Sequence, residues 1–599
     1  MMSRFMLAAL ATLLLGVGVA TAAVDSAAEF VSVVDQRVER GELTADEALL
    51  LKFQYCFDRA KLPADLQPTS FAPMKCATHL VAEYLEARDR MPGHMTEAIE
   101  GYLAPPVDDG TRLEYFSDTG LFRINYYTSG SNAVPLFDGN SNGVPDFVEN
   151  IADYMDYSYT YECETLGFES PPFAAAGGYM SVYLADMDGV YGFTTPLSNP
   201  PGMTRISMDN DFIGYAPNDD PDGNPLGAAK VTCAHEFKHS TQYIGSFWSE
   251  GGWVEVDATW MEEMAYPETN DYLNYLPFGS PMSDPDVPLD GGSTGTGSYE
   301  DCVWQHYMSD RFASPQIIVD LWEYRKTNRS EPMMDSYEAL LGDYGLDLIS
   351  AWNEFTMWNY ACGYRHLVNE AYYHEADRYP AGSENNTVSS YPASESGVVQ
   401  NIAAFTQRCR NVDSPGQRLR ITFDGADNAR FTLAAVINES YGTNLGGYYT
   451  IPLDADNNAV FDVPYDLGGV YSAGVVVGNA EKDGPGRSFT LDVDLVDADV
   501  TPASDIAPAF TIAGNYPNPF NPSTTIRFTL GGTASTSLDV YDLSGRKVAT
   551  LVDHVLDAGM HNVVWDGQDD AGRTLASGTY LAKLRSGDQV TTHKLVLAK

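Results

Sequence analysis

Two histidines four residues apart flank a glutamate in the stretch 231–243. They are His235 and His239, and Glu236 directly follows the first of them. On a helix, residues i and i+4 share one face, so both imidazoles can bind one tetrahedral Zn²⁺. Glu236 would lie beside the metal, where it can take a proton from the attacking water and pass it to a leaving amine. The motif therefore predicts zinc-dependent hydrolysis of an amide bond, with Glu236 as the catalytic residue.

A catalytic zinc site needs a third protein ligand and an open fourth position. Metzincin proteases would carry glycine and histidine where this chain has Gln242 and Gly245, which excludes that class. A glutamate on a following helix is the remaining common choice, and residues 253–263 have the pattern of such a helix. Glu255 is the favoured third ligand because it resembles the glutamate ligand of gluzincin proteases, which is followed three residues later by a small residue, here Ala258. Glu262, two turns later on the same face, is the alternative.

Further stretches accompany the zinc motif, at residues 122–127, 183–193 and 209–267. Over about residues 40–480 they resemble a family of secreted bacterial metalloproteases of the gluzincin type. The resemblance implies peptidase chemistry on a protein or peptide substrate without fixing which one. It also implies a downstream tyrosine or histidine that stabilises the oxyanion of the tetrahedral intermediate. The candidates for that role are Tyr299, His306 and Tyr307.

A calcium site is predicted at residues 138–149, which match the twelve-residue EF-hand loop. Gly143 occupies the sixth position, where the chain must turn sharply. Two of the oxygen ligands are asparagines, and their lower charge favours a weaker, structural, extracellular site. The predicted Ca²⁺ ligands are Asp138, Asn140, Asn142, Asp146, Glu149 and the main-chain carbonyl of Val144.

The elements that must position these residues predict a multidomain α+β protein. Residues 23–105 form a helical segment that is either a removable pro-segment or a packed subdomain. A zincin-like α/β metalloprotease domain is expected at 106–398, where alternating strand patterns begin near its start. Strands and turns then predict a β-sandwich at 399–500, a linker at 501–508 and a small all-β module at 509–599.

The first 22 residues predict export. They combine one positive charge, an apolar run and a small-x-small cleavage site, which is typical of a signal peptide. No later stretch is apolar and long enough to cross a bilayer. The chain of 599 residues has 83 acidic and 35 basic side chains, a net charge of −48, which argues against nucleic-acid binding. We therefore expect a secreted or cell-surface protein.

The last module carries a long series of matching motifs at residues 515–526, 540–548, 565–567 and 577–580. Together they resemble the C-terminal sorting domain of type IX secretion, a small Ig-like sandwich. The resemblance implies a Gram-negative host and the type IX machinery as a partner. It also implies release from the cell, or attachment at its surface, after the tail is removed.

Seven cysteines are an odd number for an oxidising compartment. Cys56 and Cys76 are predicted to form a disulfide because both lie in one short N-terminal module. Cys233 lies within the helix of the zinc motif and is expected to be a buried free thiol. Lys238 places a charge inside the motif and is interpreted as facing solvent.

Secreted zinc-dependent endopeptidase activity is the favoured function, and two alternatives stay open. The first is a non-catalytic adhesin or glycan-binding protein that retains a zincin fold, which would bind metal without activity. The second is a zinc amidase that acts on peptidoglycan cross-links, which a panel of substrates would distinguish from a protease.

Overall fold

The computed structural model describes most of the chain, and the predicted signal peptide and the 501–508 linker lie outside the described residues. The described ranges are 27–68, 74–107, 110–289, 298–366, 373–440, 447–464, 467–497, 511–516, 520, 522–530, 534–542, 545–556, 559–587 and 589–597.

Helices dominate the chain as far as residue 366. Their bounds are α1 (Ala27–Glu39), α2 (Ala45–Phe57), α3 (Thr78–Ala87), α4 (Gly93–Leu103), α5 (Asp146–Tyr159), α6 (Asn224–Ser246), α7 (Trp253–Ala265), α8 (Val303–Phe312), α9 (Gln316–Asn328), α10 (Met333–Asp343) and α11 (Leu348–Tyr360).

A six-stranded mixed sheet supports the helices of the zinc motif. Its spatial order is β1-β5-β6-β4-β3-β2, with β1 and β2 at the two edges. The strands are β1 (Met74–Cys76), β2 (Arg112–Phe116), β3 (Phe122–Tyr127), β4 (Met180–Ala185), β5 (Val190–Pro196) and β6 (Thr204–Asp209). Strand β1 runs parallel to β5, whereas β5 and β6 are antiparallel. The N-terminal segment therefore contributes an edge strand to the sheet, although its sequence predicts only helices.

Two apolar cores enclose helix α6. On one side, Cys233 and Phe237 pack in a cluster with strands β3, β4 and β6 and helix α5. On the other side, Ala234 joins a larger cluster that holds residues of α2, α3, α4 and α7 through α11. A helix buried on both sides explains why the motif is apolar around most of its circumference.

A β-sandwich follows the helical region. It consists of a four-stranded sheet and a five-stranded sheet whose inward side chains share one core. The strands are β7 (Asn386–Val388), β8 (Ala393–Val399), β9 (Ala403–Arg410), β10 (Gln417–Gly425), β11 (Phe431–Ser440), β12 (Gly447–Thr450), β13 (Asn458–Asp462), β14 (Val470–Asn479) and β15 (Arg487–Asp497).

The C-terminal module is a second, smaller sandwich with its own core. It has one three-stranded and one four-stranded antiparallel sheet. Its strands are β16 (Thr511–Tyr516), β17 (Thr524–Leu530), β18 (Ala534–Asp542), β19 (Lys547–Leu556), β20 (Gly559–Trp565), β21 (Gly578–Ser586) and β22 (Gln589–Leu597). Among the described helices of the whole chain, none is long and apolar enough to cross a membrane.

Candidate metal centre

Helix α6 presents His235 and His239 on one face, with ring centroids 4.8 Å apart. Helix α7 packs across this face and contributes Glu255. The Oε2 atom of Glu255 lies 3.0 Å from Nε2 of His235 and 3.4 Å from Nε2 of His239. All three side chains are at most 1% exposed. Two imidazole nitrogens and one carboxylate oxygen thus converge at a buried point between the two helices.

The Nδ1 atoms of His235 and His239 are hydrogen-bonded to side chains on the side of each ring away from the convergent donors. Nδ1 of His235 lies 2.7 Å from Oε1 of Glu262, and Nδ1 of His239 lies 2.9 Å from Oε1 of Gln242. Gln242 in turn donates to Asp257 at 3.1 Å. Such partners fix the ring orientation and leave Nε2 to face a metal. Glu262, the alternative third ligand in the sequence, thus lies on the Nδ1 side of His235, away from the point of convergence.

The charges at the centre fit a bound cation. Burial raises the pKa of Glu255, but His239 and the hydrogen bonds from His235, His239 and His79 hold that pKa well below its usual range. Burial lowers the pKa of His235, but hydrogen bonds to Glu255 and Glu262 raise it to about 10. The carboxylates of Glu255 and Glu262 therefore favour a positive charge at the His235 imidazole. A divalent metal supplies that charge, and a donor set of imidazole and carboxylate suits zinc.

Cys76 brings a fourth donor to the same point. Its Sγ atom lies 3.4 Å from Nε2 of His239, and the ligand atoms of Cys76, His235, His239 and Glu255 all lie within 4.8 Å of one another. The predicted disulfide between Cys56 and Cys76 is wrong, because both thiols are free and Cys76 points into this cluster. The sequence indicates only that Cys76 is near the N-terminus. Its partner histidines are more than 150 residues away, so no local pattern could reveal the contact.

Glu236 lies next to the convergent donors and is fully buried. Its Oε2 accepts hydrogen bonds from Thr194 at 2.7 Å and from Thr78 at 3.3 Å. Among the described residues, no group hydrogen-bonds to its Oε1. One carboxylate oxygen is thus fixed by two threonine hydroxyls while the other is left to accept a proton.

Of the three oxyanion candidates, Tyr299 is the one beside the histidines. Its ring centroid lies 6.2 Å from that of His235, and its hydroxyl donates to the Cys76 carbonyl at 2.7 Å. His306 stacks on Tyr272 instead. The hydroxyl of Tyr307 donates to Glu354 at 3.2 Å. His306 and Tyr307 are therefore engaged elsewhere in the fold.

Lys238 does not face solvent, contrary to the sequence interpretation. It is fully buried, and its Nζ lies 3.0 Å from the Asp257 carboxylate. Burial lowers the pKa of this ammonium group, while Asp257 and Glu162 raise it. Because Asp257 also accepts a hydrogen bond from Gln242, the lysine belongs to the polar network behind His239.

The predicted calcium loop turns as expected at Gly143, whose φ is 91°. Its side chains gather around Glu149, which accepts hydrogen bonds from the amides of Asn140 at 3.0 Å and Asn142 at 2.7 Å. Asp138 accepts a hydrogen bond from the Gly143 amide at 2.9 Å. Helix α5 begins at Asp146, the ninth loop position, and its first turn contains Glu149. Bound calcium at this loop remains a prediction.

Comparison with protein families identifies a domain in the C-terminal module. A family model for the FlgD Ig-like domain matches residues 520–589. No curated protein matches the chain. The structure of PorZ, a bacterial surface component of the type IX secretion system of Porphyromonas gingivalis, aligns with a TM-score of 0.13 and 16% identity over 29% of this chain and 22% of that one. Dimeric latent PorU from the same organism aligns at 0.14 and 12% identity, covering 36% of this chain and 32% of that chain.

The Endo-D glycoside hydrolase domain of Streptococcus pneumoniae aligns similarly, with a TM-score of 0.12 and 12% identity over 34% of this chain and 33% of that one. The alignments thus cover a third or less of each of these three proteins. TM-scores this low establish no shared fold. The comparisons therefore support an Ig-like C-terminal domain.

Proposed function

We propose that this chain is a secreted zinc-dependent endopeptidase with a zincin-like catalytic region. The observation that carries the proposal is the convergence of three donor atoms, on His235, His239 and Glu255, beside the carboxylate of Glu236. A spaced pair of histidines alone could belong to a surface helix. A buried pair with oriented rings, a carboxylate donor and an adjacent general base is the arrangement that metal-assisted hydrolysis needs.

In this proposal, His235, His239 and Glu255 would hold Zn²⁺, which when bound polarises the scissile carbonyl and acidifies the attacking water. Glu236 takes the proton of that water on Oε1 and returns it to the leaving amine. Thr194 holds the other carboxylate oxygen, so that Oε1 keeps its direction during both transfers. The Tyr299 hydroxyl, beside the His235 ring, would donate a hydrogen bond to the developing oxyanion.

The proposal also includes export and calcium. The signal peptide and the Ig-like C-terminal domain support passage through the type IX secretion machinery of a Gram-negative cell, and a final location outside the cell or on its surface. Calcium bound at 138–149 would fix the start of α5, which packs against α6. Calcium would then stiffen the support of the zinc helix without taking part in the reaction.

The test uses the chain without its signal peptide, before and after limited proteolysis, with casein as substrate and with and without a zinc chelator. We expect one zinc per chain and a casein hydrolysis that both the chelator and Glu236→Gln abolish. Glu164→Gln, an exposed glutamate at the end of the α5 region, is the matched control and should hydrolyse casein normally. Undiminished hydrolysis by Glu236→Gln, or a folded chain that binds no zinc, would overturn the proposal.

One observation favours the non-catalytic adhesin or glycan-binding alternative. Four protein donors leave no open position, and closed sites of this kind are usually structural. That alternative predicts stoichiometric zinc with no hydrolysis of casein or peptidoglycan, whether or not the chain has been trimmed. Hydrolysis of peptidoglycan cross-links alone would instead identify the zinc amidase.

A further inference from the structure

Cys76 closes the side of the zinc centre that a catalytic site keeps open. The three ligands of the proposed function come from α6 and α7, whereas the thiol comes from the N-terminal segment. Cys76 is fully buried against the other donors. Catalytic zinc binds three protein ligands and leaves one position for water or substrate. The Cys76 thiol lies where it would take that fourth position on a bound metal.

The strand that carries Cys76 also covers the edge of the sheet next to the metal. Strand β1 is only three residues long and pairs with β5 alone, with Met74 opposite Val190 and Cys76 opposite Gly192. An exposed edge strand binds an extended peptide through its main-chain groups. With β1 in place, the edge of β5 is filled, and a peptide substrate cannot pair with β5 beside the proposed zinc ligands.

Lys75 anchors the strand on its other face. The ammonium group is 1% exposed and lies 2.8 Å from Glu262 and 2.5 Å from Asp271. It also lies 4.6 Å from the centroid of the Tyr191 ring. Breaking a buried ion pair is costly because it leaves an uncompensated charge. Spontaneous departure of β1 is therefore unfavourable.

The residues just after β1 engage the proposed catalytic groups themselves. Thr78 donates to the Glu236 carboxylate at 3.3 Å, and the amide of His79 donates to Glu255 at 3.0 Å. The hydroxyl of Tyr299 is held by the main chain of Cys76. The base, a metal ligand and the candidate oxyanion donor are thus all bound by one short piece of the N-terminal segment.

We propose that residues 74–79 hold the full-length chain in a latent state, with the Cys76 thiolate as the fourth zinc ligand. This inference rests on the proposed function. Val107 lies between α4 and β2 and is 89% exposed, and the peptide bond beside it is the place where another protease would cut to free the segment. Coordination of Cys76 releases the thiol proton to solvent, and departure of the segment returns it.

The first experiment measures whether Cys76 coordinates the metal, and it does not depend on enzymatic activity. The full chain is loaded with Co²⁺ in place of zinc, and its near-ultraviolet thiolate-to-cobalt charge-transfer band is recorded. We expect the band in the wild type and in Cys56→Ala, a matched control on the same segment. We expect Cys76→Ser to lose the band but to keep one metal per chain. A band that survives in Cys76→Ser, or a folded Cys76→Ser chain that no longer binds metal, would overturn the proposal.

The second experiment follows release. After a cut near residue 107, mass spectrometry should show Cys76 newly accessible to a thiol reagent, with loss of the cobalt band and a rise of about tenfold or more in peptide hydrolysis. Equal hydrolysis by the uncut and cut chains would refute latency and leave the peptidase proposal intact. Loss of the band without hydrolysis of any substrate would refute the peptidase proposal, while still showing that Cys76 is a releasable ligand.

Discussion

At the scale of single residues, burial decides what a titratable side chain can do. His306 resembles a catalytic residue in the sequence but is 1% exposed and stacks on Tyr272 at 4.9 Å between ring centroids. Burial, with a smaller contribution from His374, lowers the pKa of His306 to about 3. The ring is therefore neutral in the folded protein between about pH 3 and pH 6.5, where free histidine is protonated, and it serves packing.

This burial makes the stability of the helical region depend on pH. The folded pKa of His306 lies below its unfolded value of 6.5, so its contribution is present above pH 6.5 and is lost as the pH falls. Between pH 7 and pH 5 the loss is about 2 kcal/mol in the free energy of unfolding. His306→Phe can still stack on Tyr272 but has no ring to protonate. Between pH 7 and pH 5 we therefore expect its free energy of unfolding to fall by about 2 kcal/mol less than that of the wild type.

Urea unfolding at the two pH values tests this prediction. Tryptophan fluorescence is a suitable signal, because the core around His306 contains most of the tryptophans of the chain. His94→Gln changes an exposed histidine on α4 and should behave as the wild type. The same pH dependence in His306→Phe and the wild type would show that the neutral buried ring does not cause it.

At the scale of elements, the sequence could predict what repeats locally. The spacing of His235 and His239 requires a helix, and helix α7 has the pattern that makes Glu255 the favoured ligand. Strand β1 could not be predicted, because three residues show no periodicity and its partner β5 lies over 100 residues away. The buried position of Lys238 likewise depends on Asp257, which another helix supplies. The sequence could therefore predict the ligands on α6 and α7, but it could not predict that Cys76 lies beside them.

In the predicted calcium loop, the side chains of Asn140 and Asn142 already lie against the Glu149 carboxylate. Both asparagines donate to Glu149 through their amide nitrogens, and a bound Ca²⁺ would instead require their amide oxygens to face it. We expect Ca²⁺ to raise the melting temperature, because a ligand at 100 times its Kd stabilises the folded state by about 2.7 kcal/mol. Glu149→Gln should remove most of this shift in a calcium titration followed by calorimetry. Glu164→Gln should keep it, and an equal shift in both variants would place calcium elsewhere.

Lys75 of strand β1 occupies an acidic pocket formed by Glu262 and Asp271, which a substrate side chain could occupy after β1 departs. Once Lys75 leaves, the carboxylates of Glu262 and Asp271 face the cleft beside the rings of Tyr191 and Tyr275. We expect the trimmed protein to cleave peptides with a lysine or arginine near the scissile bond about tenfold faster, by kcat/KM, than the same peptides with norleucine.

The pocket can be tested by removing one of its charges. Asp271→Asn should reduce the preference for lysine over norleucine without changing hydrolysis of the norleucine peptide. Glu268→Gln, an exposed acid just beyond α7, is the control and should keep the preference. A preference for lysine that is equal in Asp271→Asn and the wild type would refute this role for the pocket.

At the scale of the whole molecule, the two sandwiches relate differently to the helical region. The first shares its core, since Ile402, Ala404, Val436 and Val476 belong to the cluster that contains the helices α7 through α11. The fit is close at Gly474, where an added Cβ would lie 2.1 Å from the Tyr360 ring. The C-terminal module instead has a core made only of its own residues. Its proposed role as an address for secretion would agree with this independence.

These two kinds of packing predict opposite results for truncation. A chain that ends at residue 497 should bind one zinc and melt within about 2 °C of the full chain, because it loses no shared core. A chain that ends at residue 385 should lose cooperative melting, because it exposes the apolar faces of α11 and its neighbours. Calorimetry and zinc content measure both outcomes.

A point mutation tests the same packing. Gly474→Ala should lower the melting temperature, because the added Cβ would collide with the Tyr360 ring. Gly484→Ala lies at a turn with open space around it but a φ of 91°, so it reports the cost of backbone strain alone. If Gly474→Ala melts at the wild-type temperature, close packing against Tyr360 does not join the sandwich to the helical region.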